Sequence, residues 1–275
     1  MVRELILGNR KMEECHEDVT ENIKGIVLGD EGCVYKALDE TVPVQMKQGL
    51  NRGFSIRFVT SFVPDAYIEA MYERIELLSK IANIKVTFND YGLLYRCKKL
   101  IESERITAVL GRLLTHSIID CPWHGKLLRH EPPELAKAVT GQNFHHEAKI
   151  SLISDMGVRE IEVNALDNSE ICLDNWNIAT AAYTDDILIS VGRLCFAARW
   201  YDKILPECRT ERLCERKIPV KLVRTWGKMK AMYNNPTEEV MNDYENLYVR
   251  GNIVYRERGE IHENEDEKYA FVIVR

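Results

Sequence analysis

The sequence predicts an α/β protein built as a (β/α)8 TIM-like barrel with a short C-terminal β appendage. Three observations carry that expectation. Seven short apolar runs each stop at Gly, Asn or Thr-Ser, as buried strands do when they run into polar loops. Segments of helical period lie between them, and strand–helix alternation makes a parallel sheet with helices outside. The chain has 275 residues, and one barrel of this kind takes roughly 250.

The runs are, in order, Leu5-Ile6-Leu7, Ile26-Val27-Leu28, Phe54 to Val59, Ile84 to Phe88, Ile106 to Leu110, Glu160 to Val163 and Ile187 to Val191. Between them, Asp65 to Ala82 sets Ile68, Met71, Tyr72, Ile75, Leu78 and Ala82 near one face, with Asp65 as N-cap. Leu93 to Glu102 and Glu147 to Met156 are further helices, the latter stopped by Gly157. Pro122, Pro132 and Pro133 bar a long helix between residues 116 and 146. Leu247 to Tyr255 reads as a hairpin turning at Gly251-Asn252, and Tyr269 to Val274 as a last strand. The expected division is a barrel domain over 1–236, cysteine-rich loop included, and a hairpin and tail over 237–275 packed on it.

Charge and hydropathy exclude several classes. A net charge of −6 argues against bulk nucleic-acid binding while leaving room for a local basic face. No run approaches the roughly 18 apolar residues of a membrane span. The first eight residues are too short and charged for a signal peptide, so the eight cysteines are expected in a reducing, cytoplasmic compartment. From Arg193 to Lys230 there are eleven Lys/Arg against four Asp/Glu; from Thr237 to Lys268, ten Asp/Glu stand against four Lys/Arg.

Cys195, Cys208 and Cys214 fall within twenty residues of that basic stretch. Clustered thiols in positive surroundings suit soft-metal ligation, and buried cysteines equally serve as small apolar residues. Other constellations fall short. His145-His146-Glu147 and His130-Glu131-Pro132-Pro133-Glu134 lack the His-Glu-x-x-His spacing of a zinc protease. Ser61, Ser117 and Ser154 stand in no nucleophile elbow, and Gly29-Asp30-Glu31-Gly32 lacks the lysine of a phosphate loop. His116 and His124 flank Cys121, as a Cys/His metal site or as loop residues.

At the strand ends, Asp30, Glu31, Asp90 and Glu162 are expected to converge with Asn9, Asn89, Asn164 and Arg112 on the carboxyl-terminal face. That is where barrel enzymes bind and react. Asp and Asn there also cap the following helices. Arg112 and Arg193 suit an anionic substrate, because a guanidinium grips a carboxylate with two bonds. Trp200, Trp226 and Tyr233 stand near basic residues, as base-stacking platforms or as packing around the cysteine loop.

Three stretches resemble the collagenase-like peptidase family, most closely its anaerobic ubiquinone-biosynthesis hydroxylase branch. Asp30-Glu31-Gly32-Cys33 follows the second run, Asn89-Asp90-Tyr91-Gly92 is similar to the family's Asn-Asp-x-Gly, and Cys195-Phe196-Ala197-Ala198-Arg199 resembles its Cys-Phe-Thr-Ala-Arg, with Cys208 at the matching twelve-residue gap. Five residues separate Cys208 from Cys214, where that branch generally has three. The resemblance implies a 4Fe–4S cluster held by Cys33, Cys195, Cys208 and Cys214, with Cys172 or Cys97 as substitutes for Cys214. It implies oxygen-independent hydroxylation of a small aromatic or nucleobase acceptor, with Asp90, Asn89, Glu31 and Arg112 as catalytic residues and a paralogous chain as partner in a heterodimer. The rival readings are the family's older label of peptidase and a noncatalytic cluster-bearing subunit.

Overall fold

The computed structural model describes residues 2–7, 23–115, 128–140, 147–164, 176–184, 186–193, 195–200, 213–219, 247–257 and 271–274. The chain forms two compact units. One comprises Met1–His116, Asn143–Asp185 and Glu260–Arg275; the other, Ser117–Gln142 and Asp186–Gly259.

In the first unit β1 (Val2–Ile6), β2 (Ile23–Gly29), β3 (Ser55–Val59), β4 (Ile84–Phe88), β5 (Ile106–Leu110), β6 (Val158–Asn164) and β7 (Ala179–Tyr183) make a curled, all-parallel sheet in sequence order. A further strand, β12 (Phe271–Val274), is bonded parallel to β7 on one side and β1 on the other, with Ile273 opposite Tyr183 and Phe271 opposite Val2. Each strand alternates by twos between two environments. Outward-facing Ile26, Leu28, Ile56, Phe58, Ile84, Val86, Phe88, Ile161 and Val163 join the main apolar core. The helices that cover this face include α1 (Val34–Ala37), α2 (Val42–Asn51) and α3 (Ile68–Ile81). Met46 from α2, and Met71, Ile75 and Leu78 from α3, are fully buried in the same core. The inward face carries charge instead: Glu4, Arg57, Glu160 and Glu162 are all buried. Val27, Val59, Ala181, Tyr183 and Ile273 form a second, smaller apolar cluster.

In the second unit β8 (Asp186–Val191), β11 (Ile253–Glu257), β10 (Leu247–Arg250) and β9 (Ile218–Pro219) form an antiparallel sheet in that order. The expected hairpin is present, with Arg250 opposite Ile253 across the Gly251-Asn252 turn.

The fold is therefore not a (β/α)8 TIM-like barrel with a C-terminal β appendage. Strand–helix alternation holds only part of the way. The described residues between β6 and β7 carry just a turn at 176–177, and β7 and β12 are separated by the whole second sheet. Ile187 to Val191, expected as a strand of the parallel sheet, pairs antiparallel with β11. Ile187 and Leu188 are buried and Ser190 is exposed, and strand composition does not reveal pairing direction. Residues 271–274, expected in the appendage, belong to the parallel sheet. The Asp65 cap is also corrected: residues 65–67 form a short 3-10 turn after Pro64, and no side chain caps it. Leu93 to Glu102 is two helices, α4 (Tyr91–Arg96) and α5 (Lys98–Glu102), joined at Cys97.

Candidate functional site

The carboxyl ends of the parallel strands do gather polar residues. The first residue of helix α6 (Arg112–Thr115), just past β5, is Arg112, and it is the centre. Its Nε donates to Glu31 Oε2 at 2.8 Å and its Nη2 to Glu31 Oε1 at 2.5 Å, while Nη1 donates to Asn164 Oδ1 at 2.9 Å. The guanidinium carbon lies 3.8 Å from the centroid of the Tyr183 ring. Arg112 is 1% exposed and Glu31 6%. Burial of this kind is tolerated because the fork is filled on two edges by acceptors and on a face by an aromatic ring. The elements that position it are the ends of β2, β5, β6 and β7.

Asn89 braces the same region. Its Nδ2 donates to the Thr60 carbonyl at 2.7 Å, and its Oδ1 accepts from the Leu113 amide at 3.1 Å. The turn after β5 can close on Asn89 only because residue 111 is glycine: a Cβ there would meet Asn89 Oδ1 at 2.1 Å. Asp90 is the N-cap of α4, its Oδ1 accepting from Leu93 N at 2.9 Å. Asp30 accepts from the Gly32 amide at 2.8 Å and from Lys36 Nζ at 3.1 Å. Of the expected rim residues, Glu31, Arg112 and Asn164 thus touch directly, and Asn89 supports the turn that carries Arg112. Asp90 and Asp30 fix local backbone. Asn9 lies outside the described residues, and Arg193 belongs to the second unit.

Beneath this assembly is a charge network that the sequence reading named only at Glu162. Glu162 Oε1 accepts from Thr87 Oγ1 at 2.6 Å and Arg57 Nη1 at 3.0 Å; its Oε2 accepts from Tyr183 OH at 3.0 Å. Arg57 also donates to Glu4 and Glu160, and Lys85 Nζ reaches Glu160 at 2.7 Å and Glu4 at 3.6 Å. Burial pushes the Glu162 carboxyl up to about 7, against the opposing pull of Arg57 and the Thr87 hydrogen bond. Burial alone would lower Arg57, but Glu4, Glu160 and Glu162 outweigh it and hold the guanidinium well above its ordinary value. Burial and then the Glu162 charge raise the Tyr183 phenol. A readable signal existed: Glu160, Glu162 and Asn164 put polar groups at alternate positions beside the apolar Ile161 and Val163, which marks a polar inner face.

Two of the expected cluster ligands, Cys195 and Cys214, lie in the second unit. Cys195 immediately precedes α9 (Phe196–Trp200), and its Sγ accepts from the Ala198 amide at 3.4 Å. Cys214 is buried in the 3-10 turn Leu213–Glu215, which packs against α9. Both lie near the hairpin tip: the Gly251 carbonyl accepts from Ala197 N at 3.0 Å, two residues after Cys195, and a Cβ on Gly251 would lie 3.8 Å from Cys214 Cβ. With φ at +64°, residue 251 takes a left-handed conformation that glycine tolerates best. Cys33, partly exposed between β2 and α1, belongs to the first unit. Cys97 is wholly buried in the apolar core and its thiol is pushed up to about 12 by that burial, which suits a packing role. Cys208, Cys172, Cys15, Cys121, His116, His124, Ser117, Trp226 and Tyr233 lie outside the described residues. Among the described residues no three metal-capable side chains cluster, and none of their helices is long and apolar enough to cross a membrane.

These features define an α/β protein with a curled parallel sheet, a charged sheet interior and a second, antiparallel unit that carries Cys195 and Cys214. No family model matches the sequence, and no curated protein matches it. Among solved structures, the U32 peptidase Mk0906 is similar at 13% sequence identity and a TM-score of 0.42, covering 100% of this chain and 92% of that one. A likeness that slight carries no argument about activity.

Proposed function

We propose that the chain is an iron–sulfur protein of the collagenase-like peptidase family that hydroxylates a small aromatic or nucleobase acceptor without oxygen. The observation that supports the reading is the approach of Cys195 and Cys214 to one hairpin tip in the second unit. The donor set fits the group. Cys195 Sγ accepts a backbone N–H bond that also suits a ligating thiolate, and Cys214 is a second buried sulfur at the same hairpin. The family resemblance adds Cys33 and Cys208 as ligands and a paralogous chain as partner. Such a cluster supplies electron transfer when bound. On this reading the acceptor binds at the carboxyl ends of the parallel strands. Glu31 and Arg112, locked together, set the shape and charge of that end, Asn89 holds the turn, and Asp90 orients the acceptor or handles a proton.

The test is iron. Full-length chain purified without oxygen is expected to carry about four irons and four sulfides. Cys33→Ala, Cys195→Ala, Cys208→Ala and Cys214→Ala should each lose them while Cys97→Ala keeps them. Colourless protein with stoichiometric zinc overturns the cluster. Asp90→Asn keeps the cap geometry and deletes the charge, so it should retain iron yet abolish hydroxylated product in the native host grown without oxygen. Retained product would leave Asp90 a cap, and if product also survives Asn89, Glu31 and Arg112 substitutions that retain iron while cysteine variants abolish it, the chain is a noncatalytic cluster-bearing subunit.

A further inference from the structure

The interior of the parallel sheet holds a continuous polar column. It starts at Lys85, whose side chain is 22% exposed, and passes through Glu160 and Arg57 to Glu162, then through the Tyr183 hydroxyl and ring to Arg112 and Glu31. Among the described residues of the column the acids are Glu4, Glu31, Glu160 and Glu162, four, and the bases are Arg57, Lys85 and Arg112, three. A carboxylate in a dry interior that shares its cation with other carboxylates is relieved by taking up a proton. Glu162 is the most deeply buried of the four acids, 0% exposed against 2% to 6% for the others. It meets one cation, Arg57, and Arg57 also serves Glu4 and Glu160.

We propose that Glu162 is the group that holds and releases a proton inside the sheet, and that Tyr183 links it to the Arg112 end. The proposal goes beyond the iron–sulfur reading and does not rest on it, since every atom involved lies in the first unit. In the ionised state Tyr183 donates its hydroxyl hydrogen to Glu162 Oε2. When Oε2 takes a proton, the bond reverses: the neutral acid donates to the phenol oxygen, and the phenol hydrogen becomes available to another acceptor. Passing the acid's proton to the phenol oxygen while the phenol gives up its own leaves Tyr183 unchanged, Glu162 ionised and the acceptor protonated. The chemistry that would use this is a ligand with a carbonyl or developing oxyanion at the carboxyl ends of the strands. Among the described residues, Arg57 on β3, Thr87 on β4 and Tyr183 on β7 bond to Glu162, the charges of Glu31 and Glu160 bear on it, and Glu4, Lys85 and Arg112 join the network through Arg57, Glu160 and Glu31 respectively. The elevated carboxyl of Glu162, about 7, agrees with this role.

The experiment is a pH titration of the full chain labelled with carboxyl-13C glutamate, read by isotope-difference infrared spectroscopy. One protonated glutamic acid is expected at pH 6, deprotonating near 7, and Glu162→Gln should remove its band. Tyr183→Phe and Thr87→Val each delete a bond to the carboxylate, so each should move the midpoint up by about one pH unit. If Glu162→Gln fails to fold, an upward shift in both of the other variants identifies the group, because both side chains bond to Glu162. No carboxylic-acid band titrating between about pH 6 and 8, or a band that survives in Glu162→Gln, overturns the proposal. An unmoved midpoint in Tyr183→Phe overturns Tyr183 as the link.

Discussion

At the scale of single residues, the buried charges make the sharpest predictions. Glu162 has a folded-state value of about 7, above the roughly 4.3 of an exposed glutamate. A carboxyl raised in this way favours the folded state fully below its unfolded value and loses that contribution as pH rises through the folded one. Between the two values the folded chain holds a proton that the unfolded chain has released. Stability should then fall by about 1.4 kcal/mol for each pH unit. Urea unfolding at successive pH values measures the slope, and Glu162→Gln should flatten it. Arg112 gives a different prediction. Arg112→Ala leaves Glu31 buried without its bidentate partner and should cost about 3–5 kcal/mol, while the double variant Arg112→Met with Glu31→Gln should recover much of that loss. A double variant no more stable in urea than Arg112→Ala would show that Arg112 acts through packing on Tyr183 instead. Glu31 and Arg112 were legible beforehand from their places after two strand-like runs. Their contact, across 81 positions of sequence, was not, since no local pattern encodes which strand ends face each other.

At the scale of elements, the turn after β5 is the informative one. Gly111→Ala would drive a methyl into Asn89 Oδ1 and should cost about 1–3 kcal/mol. Asn89→Ala removes the obstacle along with the bonds to Thr60 and Leu113. The two changes should therefore cost less together than the sum of each alone, a coupling that a double-mutant cycle in urea unfolding reads out. Helices with a clear apolar face were legible: α3 buries the expected Met71, Ile75 and Leu78, and α8 (Glu147–Asp155) stops just short of Gly157. The strand Ala179–Tyr183 was not legible. Its Ala-Thr-Ala-Ala sequence lacks the β-branched weight of its neighbours, and its place is fixed by parallel pairing with β6 and β12, which are distant in sequence or carry no local signal of it. Strand β8 shows the converse. Its run looks like a parallel core strand, and only pairing with the hairpin makes it antiparallel.

At the scale of the molecule, the arrangement departs from a repeating βα series because the chain leaves after β7 and returns as residues 271–274. The strand β12 supplies the pairing for two neighbours at once. A chain ending at Lys268 should thus expose the facing edges of β1 and β7 and aggregate at concentrations where the full chain stays in solution, as light scattering would show. Equal solubility of the two would mean that β12 contributes little to the sheet. The same feature sets an order of events in the cell. Synthesis runs from one end at about 5–20 residues per second, so the 265 positions between Ile6 and Phe271 correspond to roughly 13–50 s. Throughout that interval β1 waits beside an absent neighbour, and by its end all four strands of the antiparallel sheet have been made. A nascent chain of this protein therefore spends most of its synthesis with two unpaired edges, the state in which a chaperone that shields strand edges has the most to do.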